Sequence, residues 1–102
     1  MNQAQMMQQA KKMQAEMMKA QEELASTVVT GTAGGSAVTI EMSCDNRVHA
    51  VKLAKEAIDP DDAETLEDLL VVAMNDAVAK AQAASAQRMS AVTGGLRIPG
   101  LM

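Results

Sequence analysis

From Asp61 to Thr93 the chain contains neither glycine nor proline, and Leu66, Leu69, Leu70, Ala73, Ala77, Ala81 and Ala84 recur at helical spacing along it. Only Gly94-Gly95 supplies a firm stop. Asp59 is placed to cap this helix with Pro60 at its first position, and Asp61, Asp62, Glu64, Glu67 and Asp68 put negative charge near the positive end of its dipole. At 1.5 Å per residue, about 30 residues span roughly 45 to 50 Å. A compact domain of about 100 residues has a radius of gyration near 13 Å. The helix therefore outruns any globule the chain can build, and part of it must project.

A second helix precedes it. Residues 3 to 24 are good helix formers without a break, and Met6, Ala10, Met13, Met17, Ala20 and Leu24 form a seam at alternating spacings of four and three. Met7 and Met18 widen that seam from one side. The chain holds ten methionines but no Phe, Tyr or Trp. Thin paired helices have no thick core for an aromatic ring, and methionines of the first helix are expected to fill the alanine-lined face of the second. An antiparallel pairing sets the start of the first helix beside the end of the second.

Between the helices the composition turns to β-branched residues and turn formers. Val38, Ile40 and Met42 alternate with Ala37, Thr39 and Glu41, the period of a strand with one buried face. Gly34-Gly35 and Asp45-Asn46 are turn signals for two hairpins. Val48 falls out of phase with Val51 and Leu53, which predicts a bulge in the third strand. The fold class is α+β: a long helix, a three-stranded antiparallel sheet and a long helix, with projecting helical arms. The 102 residues are read as one domain, 1–102, with a flexible tail from about residue 94.

The formal charge of −4 hides a segregation. Residues 1 to 20 hold Lys11, Lys12 and Lys19 against Glu16 alone, and residues 77 to 102 hold Lys80, Arg88 and Arg97 with no acid. The acids gather in between. A single cysteine forms no internal disulfide, no apolar run is long enough to cross a bilayer, and the start lacks a signal-peptide core. A cytoplasmic protein with no membrane partner is expected.

QEELASTVVTGTAGGSAVTIEM, IDPDDAETLEDLLVVAMNDAVAKA and TGGLRIPGL resemble the YbaB/EbfC family of nucleoid-associated proteins across nearly the whole chain. The second hairpin departs from the family: it reads Ser43-Cys44-Asp45-Asn46-Arg47, where a Gly-containing, basic turn is common. The resemblance implies a bacterial homodimer joined through the sheet region, located in the cytoplasm and nucleoid, that binds duplex DNA with low or modest sequence preference. The matching motifs are caps, turns and core positions, so they transfer no DNA-contact residue.

Contact residues come from charge placement instead. Lys12 and Lys19 lie one heptad apart on the outward side of the first helix with Lys11 adjacent, and Arg88, Lys80 and Arg97 are candidates from the second. The bland alternative is a solvated face with weak pairs to Glu16, Glu22 and Glu23. Phosphate neutralisation with counterion release is the implied mechanism. The lack of aromatics removes base stacking, and with it the usual single-strand binders. The competing class is a protein-interaction module whose Met-rich arms clamp a partner without DNA. A thioether Cu(I) site at Met13 and Met17 lacks supporting His or Cys. Cys44 reads as an incidental turn residue, and with His49 it lacks an orienting group and a pocket. The Gly-Thr-Ala-Gly-Gly-Ser run lacks the lysine of a phosphate loop, so no catalytic constellation, cofactor or small-molecule substrate is expected.

Overall fold

A computed structural model describes residues 2–94. Its elements, in chain order, are α1 (Gln3–Ser26), β1 (Val28–Ala33), β2 (Val38–Ser43), β3 (Arg47–Leu53), one 3-10 turn (Lys55–Ala57) and α2 (Ala63–Gly94). The strands form one antiparallel sheet in the order β1-β2-β3. The radius of gyration is 19.7 Å and the molecule measures 70 × 26 × 16 Å, against about 13 Å expected of a compact chain of this length. The projecting arms are thus present. The expected flexible tail lies outside the described residues, apart from Gly94 at the end of α2.

The sheet follows the alternation closely. Val38, Ile40 and Met42 are buried in the middle strand, and Gly31 and Val51 stand opposite Ile40 on its two neighbours. Directly opposed residues in an antiparallel pair share a face, so this row marks the side on which α2 packs. The bulge is also present: Glu41 pairs with Ala50 but Met42 pairs with Val48, which leaves His49 as the extra residue. At the first hairpin Gly34, Gly35 and Ser36 all take positive φ, and at the second Asn46 does. Glycine and asparagine suit that conformation; serine adopts it at a cost.

The core runs between sheet and α2, where Ala73, Ala77 and Ala81 are fully buried against Ala33, Val38, Ile40 and Met42. A Cβ built on Gly31 would collide with the Ala73 carbonyl oxygen and Ala77 amide nitrogen and stand 2.7 Å from the Ala77 Cβ. Helix and strand backbones therefore meet with almost nothing between them. This overturns the expected Met-into-Ala interlock: the alanines admit the sheet, whereas α1 meets α2 further on, where Val92 is buried. The methionine seam is accordingly covered only at its C-terminal end. Ala20 and Leu24 are buried and Met13 and Met17 half-buried, whereas Met6, at 58% exposure, is open.

Two local expectations are corrected as well. The cap of α2 is Asp62, whose carboxylate accepts from the Thr65 backbone N–H at 3.3 Å and from its hydroxyl at 2.6 Å. Asp59 instead folds a turn around Pro60, accepting the Asp61 N–H on its side chain at 2.9 Å and the Asp62 N–H on its carbonyl at 3.0 Å. Proline at the second position of such a turn is preorganised, which moves the helix start to Ala63. Cys44 is no incidental turn residue: it is buried, and its N–H donates to the carbonyls of Leu24 and Thr27, fastening the end of α1 to the β2–β3 turn.

Candidate nucleic-acid interface

The first turn of α1 is closed locally by a reciprocal capping box of Asn2 and Gln5: the Gln5 N–H donates to Asn2 Oδ1 at 2.8 Å, and Gln5 Oε1 accepts from the Asn2 N–H. Three contacts fix how the arm leaves the body. Along α2, Asp76 meets Thr32, Lys80 meets Thr30 and Arg88 meets Glu23. The partner positions step backwards as α2 advances, so α1 and β1 both run antiparallel to it. Gly94 lies six residues beyond Arg88, level with about Met17 of α1, and residues 3–16 extend roughly 21 Å past it.

Lys11 and Lys12 sit on that extension and Lys19 just below it, all three exposed. Among the described residues no carboxylate comes within ion-pair distance of any of them. The first acid in the chain is Glu16. The other predicted residues are placed differently. Arg88 is held at the root of the arm, its Nε 2.8 Å from Glu23 Oε2. That hydrogen bond, followed by the charge attraction, lowers the Glu23 carboxyl below its ordinary range and raises the guanidinium; Lys19 and Glu16 add smaller contributions of the same signs, respectively.

Lys80 lies on the body. Its Nζ donates to the Thr30 carbonyl at 2.9 Å and stands 3.1 Å from Asp76 Oδ2, while Asp76 accepts the Thr32 backbone N–H at 3.0 Å. The Thr32 hydrogen bond, then Lys80, lowers the Asp76 carboxyl. Along the helix axes Lys80 and Lys12 are separated by roughly 28 Å, counting eleven residues above Glu23 and eight below Arg88. The structure thus groups Lys11, Lys12 and Lys19 on the arm, sets Arg88 at its base and separates Lys80. Arg97 falls outside the described residues.

The role of Asp76 has no local signal: it stands one helical turn before Lys80, a spacing that ordinary surface pairs share. A second feature is apolar. Val48, Val51 and Leu53 of β3 lie on the helix-bearing face of the sheet but beyond the reach of α2, and they remain exposed, as do Ile58, Val71 and Val72. No helix among the described residues is long and apolar enough to cross a membrane, and no cluster of three potential metal ligands occurs among them.

A family model described as the YbaB/EbfC DNA-binding family matches residues 1–96. A nucleoid-associated protein of Chloroflexus aurantiacus is 53% identical over 97 residues, covering 95% of this chain and 97% of its own. One of a Roseiflexus species is 51% identical over 100 residues, covering 98% and 99%. A crystal structure of an uncharacterized Helicobacter pylori protein shares the fold with a TM-score of 0.75 at 20% identity, covering 95% of this chain and 99% of that one. With a family model matched over residues 1–96 and relatives about half identical over nearly its whole length, this chain belongs to the YbaB/EbfC family.

Proposed function

We propose that the protein is a nucleoid-associated, non-enzymatic protein that binds duplex DNA as a homodimer, chiefly through phosphate contacts. The observation that carries this reading is the trio Lys11, Lys12 and Lys19: exposed, unpaired among the described residues, and on an arm whose first carboxylate is Glu16. Ammonium groups so placed neutralise phosphates, and release of condensed counterions supplies affinity without base recognition. Arg88 adds the N–H groups that Glu23 leaves open, and Arg97 extends the basic set. Lys80, occupied by Thr30 and Asp76, contributes least.

The homodimer is supported by the uncovered apolar residues of β3, Val48, Val51 and Leu53, which a second copy would bury. The test is binding of purified, nucleic-acid-free protein to duplex DNA across a salt series. Affinity falls steeply with salt, and charge reversal at Lys11, Lys12 and Lys19 weakens binding to all sequences alike and flattens the slope, by about 0.9 for each phosphate no longer neutralised. A log-log slope near zero refutes the reading.

A second reading has one observation in its favour. Met6, Met7 and Met18 are more than half exposed, as suits arms that clamp a partner protein. Retention of a defined protein by nuclease-treated bait, together with the absence of any DNA binding in the salt series, is the result that selects it.

A further inference from the structure

We infer that the free end of α1 is a base-reading surface, in which Gln8, Gln9 and Lys12 enter the DNA major groove and confer a preference for adenine-containing steps. This rests on the duplex-DNA reading above and adds direct readout to it.

The first observation concerns what is missing from the arm. A solvated helix gains from Asp or Glu in its first turn, where the dipole favours negative charge, yet α1 has no acid there and none before Glu16. The positions are filled by amides: Gln3, Gln5, Gln8, Gln9 and Gln14. Glutamine matches glutamate in helix propensity and length but presents both donors and an acceptor with no charge. The exchange gives up a dipole benefit and keeps hydrogen-bonding capacity, which suits a ligand that repels carboxylates and offers mixed donors and acceptors. The edges of base pairs, flanked by phosphates, have that character.

The second observation is alignment. At 100° per residue, Gln5, Gln8, Gln9 and Lys12 fall within one stripe about 100° wide, side by side on the open surface of the arm. Gln5 is committed to the capping box, which leaves Gln8, Gln9 and Lys12 as the reading set. All three are exposed. Lys19 and Glu23 continue the same stripe toward the body, beside the seam on which Ala20 and Leu24 are buried.

The third is fit. A helix with side chains is about 10 to 12 Å across, and the major groove is about 12 Å wide. The roughly 21 Å of α1 beyond Gly94 gives enough length to lie in the groove while the body stays outside. Glutamine can bind adenine in two-pronged fashion, its carbonyl accepting from N6–H and its amide donating to N7, and lysine donates to N7 and O6 of guanine.

The experiment selects preferred duplexes from a random library with the full-length protein, then replaces their adenines with 7-deazaadenine, which removes the N7 acceptor and keeps Watson–Crick pairing and every phosphate. Wild type is expected to lose roughly fivefold or more in affinity on replacement, as for one good base contact. Gln8→Ala/Gln9→Ala, which only raises helix propensity, is expected to lose the selected preference, to ignore the replacement, and to keep the wild-type salt slope. A selection without enrichment, a wild type indifferent to 7-deazaadenine, or a variant that retains the preference overturns the inference and leaves phosphate binding standing. Absence of DNA binding at low salt overturns both.

Discussion

Replacing Gly31 by alanine tests the packing that sets α2, and hence both arms, on the sheet. A glycine-to-alanine change at a backbone conformation open to both residues usually stabilises by about 0.4 to 1 kcal/mol, because the unfolded chain loses freedom. At Gly31 the sign reverses. The added methyl would overlap the Ala73 carbonyl oxygen and Ala77 amide nitrogen, backbone atoms inside a helix that cannot turn aside as a side chain would, so α2 must retreat by about 1 Å to restore ordinary contact. A buried aliphatic side chain gains about 0.15 kcal/mol from each of about 50 neighbouring atoms, and a gap of this size forfeits at least a quarter of the attraction on the side facing the helix, about half of the total. That is about 1 kcal/mol for each of Val38, Ile40 and Met42, which line the interface, or about 3 kcal/mol in all, the upper part of the usual range for overpacking. Urea denaturation at one fixed protein concentration measures it: with a slope of about 1.5 kcal/mol per molar, the midpoint drops by about 2 M. Gly35 is the control, since its Cβ would meet nothing, and alanine there suffers only from its positive φ, about 1 kcal/mol. A Gly31→Ala midpoint equal to wild type, or higher, refutes the close-contact argument.

Ser36 holds φ at 77°, so Ser36→Gly is expected to stabilise by about 0.5 to 1 kcal/mol, read as a higher denaturation midpoint. Asp62→Ala removes both hydrogen bonds to Thr65 and is expected to cost about 1 kcal/mol as a lost N-cap; helix content by circular dichroism against temperature reports it. Asp76, with an ordinary value near 3.8, has its carboxyl lowered by the Thr32 hydrogen bond and then by Lys80. A folded-state value below the unfolded one contributes stability above about pH 4 that is lost as pH falls through the folded value. Asp76→Asn therefore reduces stability at neutral pH and flattens its acid dependence below pH 4, measured by denaturation midpoints from pH 6 to pH 2.5.

Much of this architecture is legible from spacing. The period of Val38, Ile40 and Met42 and the phase slip at Val48 are local signals that no tertiary contact overrides, and both the buried strand face and the bulge at His49 follow from them. Helix extents are legible for the same reason. The start of α2 is not, because Asp59-Pro60-Asp61-Asp62 holds two adjacent capping opportunities, and a turn around proline decides between them. The facing of the alanines is also hidden: small residues permit close approach by any backbone, and only Gly31, a small residue on the opposing strand, selects the sheet over α1. At the candidate interface, Lys11, Lys12 and Lys19 are legible as a strip on one helix. The fixation of Arg88 by Glu23 joins residues 65 apart, and helical spacing carries no information about that pairing.

The use made of charge differs between the two ends of the molecule, and this bears on how an acidic protein can serve a polyanion. Asp76 and Lys80 are engaged at the outer edge of β1, where the carboxylate takes the Thr32 N–H and the ammonium the Thr30 carbonyl. Side chains of α2 thereby occupy edge groups that would otherwise invite another strand, and the exposed apolar residues lie instead on β3. The proposed self-association is thus directed away from β1. The acids from Glu56 to Asp68 surround the 3-10 turn and the start of α2, at the end of a 70 Å molecule opposite the lysines of α1. Charges further apart than the Debye length, about 8 Å at physiological ionic strength, hardly interact through solvent. A phosphate at the arm would therefore meet Lys11 and Lys12 and scarcely register the acidic body, so that the formal charge of −4 describes the molecule's average without describing its tip.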